Sequence, residues 1–390
     1  MKHSQTLLGL IGYLFIGTAV VLVPSVMPFI TAEFAASGVS LAAAGFIFTA
    51  GAAGGILGNL LAGFGSDLLG RRRLVWLAAG LLAAALFFAS ASRLWLLFVT
   101  SFVVINATQG ALSTGINALV TDANQNARAW ALNILHGVYG AGATVSPLII
   151  GYLLDRGLDW RWALGGTGAI WFGYAIAAYL LTHSADAKQP LASKQKLDLG
   201  MLRQPAFLAL FAMGFIYNGV AVSLLGWITV YMKQAEGFST LFSVSMISIF
   251  YLALTSGRFL CAFFSEKIGY ARILLILAVG ITATYPLVVL GAHSYWMVAG
   301  VFLTGLSFSG LFPTALAYGS RLFPEQSGTL SGTLSVALTL GSMIPPLWTG
   351  VITERWGFQM AMGVNYLLVL PMIGLALYLG RREGSETVEQ

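Results

Sequence analysis

Asn106, Gln109, Ser113 and Asn117 follow one another at steps of three, four and four residues, inside a run that carries no charged side chain from Leu94 to Thr121. On an α-helix those steps place all four on one stripe. Amides and hydroxyls recognise a solute through reversible hydrogen bonds; they do not cleave or transfer groups. The spacing recurs in Asn133, His136, Gly140 and Thr144, in Ser248, Tyr251, Thr255 and Arg258, and in Ser335, Thr339 and Ser342. Turned toward hydrocarbon, such stripes would leave amides and a guanidinium without partners, so they are expected to face a bundle interior or a wet cavity. Tyr139, Tyr217, Trp227 and Tyr251 add rings that can cover the C–H faces of a sugar while amides such as Asn218 bind its hydroxyls.

Each stripe has a plainer reading. Asparagine, glutamine and serine between membrane helices also act as hydrogen-bond glue, worth about 0.6–2 kcal/mol, and for Asn133 the two readings stand level. His136 reads equally as a structural histidine or a proton carrier. Arg258 reads as a packing residue or as an anion ligand. No zinc-ligand helix, phosphate-cradling Gly-Lys-Ser/Thr loop, nucleophile elbow or pair of buried carboxylates occurs in the sequence, so an enzyme is not expected. The single cysteine, Cys261, excludes an intrachain disulfide and a multi-cysteine metal site. No cofactor or metal is expected; sodium or a proton is the candidate coupling ion.

The elements that position these residues follow from composition. Of 390 residues, 58% are apolar and only 9% charged, against about a quarter charged in soluble domains. Uncharged or nearly uncharged runs lie near 5–30, 40–64, 74–91, 94–119, 129–153, 161–182, 205–231, 241–264, 272–292, 294–319, 328–352 and 358–380. Most exceed the ~20 residues that a helix needs to cross a bilayer, and helices are the open-chain structure that satisfies its own backbone there. Twelve spans are therefore expected. The first run is long enough to span by itself, so it does not read as a cleavable signal peptide. Trp95, Trp160, Trp162, Trp296 and Trp356 fall at predicted helix ends and read as an interfacial belt.

The chain reads as one unit used twice. GNLLAGFGSDLLGRRR at Gly58–Arg73 returns as GRFLCAFFSEKIGYAR at Gly257–Arg272, an offset of 199, and Gly142, Pro147, Gly151, Asp155 and Arg156 return as Gly341, Pro346, Gly350, Glu354 and Arg355. A polar connector divides the copies: 1–184 is the N-terminal six-helix bundle, 185–203 the connector and 204–390 the C-terminal six-helix bundle. With the connector cytoplasmic, fifteen of twenty Lys and Arg residues fall on that side, which places both termini inside the cell. The net charge of +6 thus reports topology, and nucleic acid is not an expected partner. The expected partners are a small-molecule substrate and the lipid bilayer, with the chain a monomer in the cell (inner) membrane.

Gly63, Asp67, Gly70, Arg71 and Arg72 fit the loop motif G-x-x-x-D-x-x-G-R-R, with a degenerate copy at Ala262, Glu266 and Gly269. On these residues the chain resembles the major facilitator superfamily over its whole length; Leu68 departs from the motif. The resemblance implies an all-α membrane fold of twelve helices in two pseudo-symmetric bundles that works by alternating access. Gly63, Asp67, Gly70 and Arg71, with Glu266 and Gly269, would form gating loops, Asp67 and Arg71 helping to latch the cytoplasmic side. YNGVAVSLLGWITVY at Tyr217–Tyr231, with GINALV, LNILHGVYGAGA and LFPTALA, resembles the branch of fucose permeases and sodium-dependent glucose transporters. Acidic residues common in that branch are replaced here by Ser113 and Ala221, so a proton relay on a midplane carboxylate is not expected.

These readings converge on a secondary active or facilitative transporter of a small polar organic solute, preferably a sugar. Its expected ligands are Asn106, Gln109, Asn117, Asn133, His136, Tyr217, Asn218, Trp227, Tyr251 and Arg258. An organic anion such as a monocarboxylate, held by Arg258 with His136 as titratable partner, is the alternative. A multidrug or metabolite exporter is a third, weakened by Asn106 and Ser146-Pro147 at positions where antiporters carry an arginine and a Gly-Pro.

Overall fold

A backbone surrounded by hydrocarbon must satisfy its own N–H and C=O groups, and these apolar segments do so as helices throughout. The computed structural model describes the backbone of residues 2–125, 128–182, 200–290 and 293–388, and the side chains within them except those of 2–3, 63–68, 128–129, 182, 327–328 and 383–388. Twelve α-helices occur among the described residues: α1 Lys2–Ala35, α2 Leu41–Leu69, α3 Arg71–Ala91, α4 Trp95–Ala123, α5 Arg128–Asp155, α6 Trp160–Thr182, α7 Pro205–Val230, α8 Thr240–Ile268, α9 Tyr270–Leu290, α10 Ser294–Phe308, α11 Leu311–Leu322 and α12 Ser327–Val388. Eleven stretches of the described chain are long and apolar enough to span a membrane. Two details separate helices from spans. α10 and α11 are halves of one 29-residue stretch, Ser294–Leu322, and α12, at 62 residues, is two helices meeting at Gly357, whose φ of 82° no right-handed helix contains. Most of the 185–203 connector lies outside the described residues; its end, Gly200–Arg203, is a short 3₁₀ turn.

The sequence repeat is also a repeat of geometry. α2 and α8 are both 29 residues long and begin 199 residues apart; α3 and α9 are both 21 and keep the same offset. Among the described residues six glycines have positive φ and fall into three pairs: Gly38 with Gly237, Gly70 with Gly269, and Gly157 with Gly357, spaced by 199, 199 and 200 residues. A positive φ costs any residue with a Cβ roughly 1–2 kcal/mol. Both copies therefore reverse direction between the same helices with the same device.

The residues form two compact units, one from the N-terminal half together with Thr229–Ser248, the other from the segment ending at Ile228 together with the chain from Ile249 onward. In the first, α1 packs on α4, α5 and α6, α2 on α4, and α3 on both α4 and α6. Glycines permit these approaches: a methyl at Gly58 would overlap the Ala107 carbonyl of α4, and one at Gly142 the Leu14 carbonyl of α1. Pro28 has no N–H for the Pro24 carbonyl of α1; the Thr229 hydroxyl donates to that oxygen at 2.7 Å instead. At the other end of α6, Trp160 Nε1 donates to Glu33 at 2.9 Å, and Arg161 pairs with Glu33 and donates to the Ser92 carbonyl at 2.9 Å. Trp160, expected in an interfacial belt, is 4% exposed because its N–H serves this carboxylate. Trp162, Trp296 and Trp356 are exposed, as belt residues are.

In the second unit α9 is the central helix, packed on α10, α11 and α12. Asn218 of α7 donates to the Leu338 carbonyl of α12 at 2.6 Å, and a side chain at Gly219 would strike Pro345. Asn365, fully buried, accepts from Trp348 Nε1 at 2.7 Å and donates to Thr349 at 2.9 Å, which ties the two arms of α12 across Gly357.

These approaches set an expectation for stability. Gly58→Val forces a branched side chain into the α4 backbone and should cost about 1–3 kcal/mol, whereas Gly363→Ala, with nothing within 4 Å of its Cβ position, should be neutral or gain up to about 1 kcal/mol from helix propensity. Thermal unfolding midpoints of the purified variants in detergent check the contrast.

Candidate functional site

A cavity of about 400 Å³ opens in the first unit, lined by Arg71, Asn117, Ala118, Thr121, Asp122, Leu132 and His136. Three helices build it. Gly70, at φ 82°, turns the chain between α2 and α3 and sets Arg71 at the first position of α3. The last turns of α4 supply Asn117, Thr121 and Asp122, and α5 supplies Leu132 and His136 at the i, i+4 spacing that shares one face. The guanidinium of Arg71 forms an ion pair with the carboxylate of Asp122 and also points a hydrogen at the Ala118 carbonyl, 3.5 Å away. Both partners are about one-third exposed, so the pair is screened and worth at most about 1 kcal/mol. Its chemical effect is to place a positive and a negative charge side by side on the cavity wall.

Behind the cavity the α4 stripe continues. The hydroxyl of Tyr13, on α1, lies 3.0 Å from the Ser113 hydroxyl, and its ring meets the imidazole of His136 edge to face, with centroids 5.5 Å apart. Tyr13 thus fastens α4 and α5 to α1 at the level of the polar stripe. Asn117 Oδ1 is buried and accepts no hydrogen bond among the described residues. Gln109, about two turns nearer the middle of α4, is 8% exposed and its side chain has no hydrogen-bond partner among the described residues. Asn106 differs. Its amide donates to the Phe102 carbonyl of its own helix at 2.9 Å and lies against Gly51 of α2, the position of a residue that helps two helices pack.

The remaining candidates are dispersed. Asn133 lies on an exposed part of α5, apart from the cavity-lining Leu132 and His136. Tyr217, buried, packs its ring on Phe308 at 5.7 Å; Asn218 is the tie to α12; Tyr251 meets Phe250 edge to face at 6.1 Å. Trp227 is fully buried, donates from Nε1 to the Pro346 carbonyl at 3.0 Å and packs on Phe358. Its indole is thus occupied by α12 rather than presented to a cavity within that unit. Arg258, half-buried, has its Nε enclosed without an acceptor among the described residues. Glu266 is exposed beside Gly269, whose φ of 99° makes the second loop turn. Gly63 and Asp67 lie outside the residues whose side chains are described.

Sequence reasoning therefore selected three of the cavity's polar residues, Arg71, Asn117 and His136, and missed Asp122 and the supporting Tyr13. Asp122 carried a usable signal: it is a carboxylate at the end of an uncharged span. Tyr13 carried none, because a tyrosine in an apolar helix reads as core.

The family model described as Major Facilitator Superfamily matches residues 9–289 and 244–390. The chain belongs to this superfamily. Among its relatives in the superfamily, the MFS-type transporter YfkL of Bacillus subtilis is 24% identical over 89% of this chain and 88% of its own length. The glucose/mannose transporter GlcP of the same organism is 21% identical, covering 79% of this chain and 78% of GlcP. Protein TsgA of Escherichia coli O9:H4 is 23% identical over 75% of each. Among solved structures, a mutant of the nucleoside transporter NupG superposes with a TM-score of 0.81, covering 97% of this chain and 99% of NupG at 14% identity. A bacterial homologue of the human lysosomal transporter Spinster, inward-facing and occupied, gives 0.74 over 97% and 96% at 14% identity. These likenesses establish the facilitator fold, and with the apolar helices they make the chain a multi-pass membrane protein.

Removing one charge of the pair strands the other. Asp122→Asn and Arg71→Gln should each lower the unfolding midpoint, and a double-mutant cycle should return a coupling of about 0.5–1 kcal/mol. A coupling indistinguishable from zero would mean that the two charges are neighbours without interaction.

Proposed function

We propose that this protein is a transporter of a small, neutral, hydroxyl-rich solute, with a sugar as the preferred class. It crosses the cell (inner) membrane twelve times, in two six-helix bundles of residues 1–184 and 204–390 joined by a cytoplasmic connector, with both termini inside and no partner beyond substrate and lipid. The count of twelve rests on α10 with α11 forming one span and α12 forming two. Transport proceeds by alternating access, and the Gly70 and Gly269 loops form the gating turns at the cytoplasmic face.

The observation that carries the reading is the α4 stripe. Gln109 makes no side-chain hydrogen bond among the described residues, and Asn117 Oδ1 is buried there without a donor, in a span that has no carboxylate at its centre. An unpartnered buried amide is costly; a hydroxyl of the solute supplies the missing donor or acceptor. Relatives support the class: GlcP is named for glucose and mannose, and NupG for nucleosides, solutes that share a hydroxyl-bearing ring. Asn106, Asn133, Tyr217, Asn218, Trp227 and Tyr251 remain proposed contributors, with Asn218 and Trp227 acting through the ties they make to α12.

One observation favours a second reading. The enclosed Nε of Arg258 lacks an acceptor, and a monocarboxylate would provide one.

Uptake and counterflow of labelled hexoses and labelled monocarboxylates in proteoliposomes separate the two. Asn117→Ala should raise the KM for hexose about tenfold, the worth of one hydrogen bond of about 1.4 kcal/mol, while Arg258→Gln leaves hexose selectivity in place. Carboxylate uptake that disappears in Arg258→Gln, with no hexose uptake by the parent protein, would replace the sugar reading with the anion reading.

A further inference from the structure

We propose that a wedge between α8 and α10 binds one membrane phospholipid, with an acyl chain lying along α10 and the head group at Ser294 and Tyr295. The site belongs to the second unit and does not depend on which solute is carried.

Glycines fix where the two helices meet. A methyl at Gly305 of α10 would stand 2.7 Å from the Phe250 carbonyl oxygen of α8, and one at Gly257 of α8 would stand 2.3 Å from Ser309 Oγ. The opposite face of α10 is held against α9, since a methyl at Gly300 would reach Leu287 and Val288 at 2.8 Å. Beside the crossing lies a cavity of about 640 Å³. Ile249 and Leu252 form its α8 wall; Val298, Ala299, Phe302 and Leu303, at the spacing of one helix face, form its α10 wall. All six are apolar. Leu252, Phe302 and Leu303 are exposed, and both helices belong to stretches long and apolar enough to span a membrane. The cavity therefore opens into hydrocarbon, and its walls give water no polar partner.

Length and polarity select the occupant. Ser294 and Tyr295 bring hydroxyls to one end, where the Tyr295 ring also stacks on His293, with centroids 5.4 Å apart, and borders exposed Trp296. Rings with one polar edge suit the membrane interface. From Ser294 the lining runs along α10 to Leu303, about 14 Å at ~1.5 Å per residue, close to half of the ~30 Å hydrocarbon core. The wedge is polar at the interface, apolar beneath it and one leaflet deep, which are the proportions of a lipid. A second copy of this chain fits less well: a helix ~10 Å across fills roughly 1,100 Å³ over that length, more than the cavity holds. An acyl chain enters the wedge and restores the dispersion contacts that a void would forfeit on both walls. The ester and phosphate oxygens of the same lipid accept from the Ser294 and Tyr295 hydroxyls.

The full-length protein in nanodiscs of phosphatidylethanolamine and phosphatidylglycerol, doped with a phosphatidylethanolamine that carries a diazirine on its acyl chain, tests this without knowledge of the solute. Irradiation should label the peptides containing Leu252 and Ala299–Leu303 several-fold more than the α2 face at Leu57, Leu60 and Leu61, which is exposed to the same hydrocarbon. Ala299→Phe fills the wedge and should lower its labelling several-fold while that of the α2 face stays unchanged. Leu252→Trp, at an exposed position on the other wall, should do the same and serves where Ala299→Phe fails to fold. Equal labelling of the two faces, or labelling of the wedge that neither variant lowers, reduces the cavity to ordinary annular contact and overturns the proposal. Native mass spectra of the parent released from detergent should retain one phospholipid that the variants lose. A parent dimer that the variants split assigns the wedge to a second copy and overturns the lipid reading.

Discussion

Every polar group that enters the hydrocarbon must find its partner inside the chain, and the rest of this structure depends on that constraint. Helices meet it for the backbone. Where a helix is interrupted, another segment meets it: the Pro24 carbonyl, left without a donor by Pro28, accepts the hydroxyl of Thr229 from a segment 205 residues away. Trp227 gives its N–H to the Pro346 carbonyl, and Asn365 takes that of Trp348. Tertiary structure here is largely a set of answers to local deficits, with glycines letting backbones come near enough for the answers to work.

Against this background the groups that lack answers stand out. Asn117 Oδ1 and Arg258 Nε are enclosed without protein partners among the described residues. In water such groups would be ordinary; in a membrane-spanning helix each costs free energy. The cavity beside Asn117 adds the charged pair of Arg71 and Asp122 at the turn made by Gly70. The α4 helix whose last turn holds Asp122 also carries the amide stripe.

Much of this was legible in the sequence, for definite reasons. Helices in lipid are written in runs of apolar residues, because length and hydropathy alone decide spanning. The duplication was legible because glycines forced into positive φ cannot drift: Gly70 and Gly269 persist where most neighbouring side chains have changed. Arg71, Asn117 and His136 could be named because polar residues on an apolar face are few. Partnership was less legible. Trp227 looked like a cavity-lining ring and is instead bonded to a carbonyl of α12, and Trp160 looked like a belt residue and is bonded to Glu33. Asn106 has the spacing of a ligand, yet its amide returns to its own helix. Periodicity gives the face of a residue but not its neighbour.

The sequence by itself determined the solvent of this protein, its helices and its duplication, since each follows from composition or from local backbone requirements that do not depend on distant residues, and its loop motif carried the resemblance to the superfamily. Only the tertiary structure decided which amides are satisfied, that Asp122 answers Arg71, and that His136 joins them around one cavity. These pairings cross 51 residues between Arg71 and Asp122 and 65 between Arg71 and His136. Helix packing sets such distances, and packing depends on where small residues let two backbones meet.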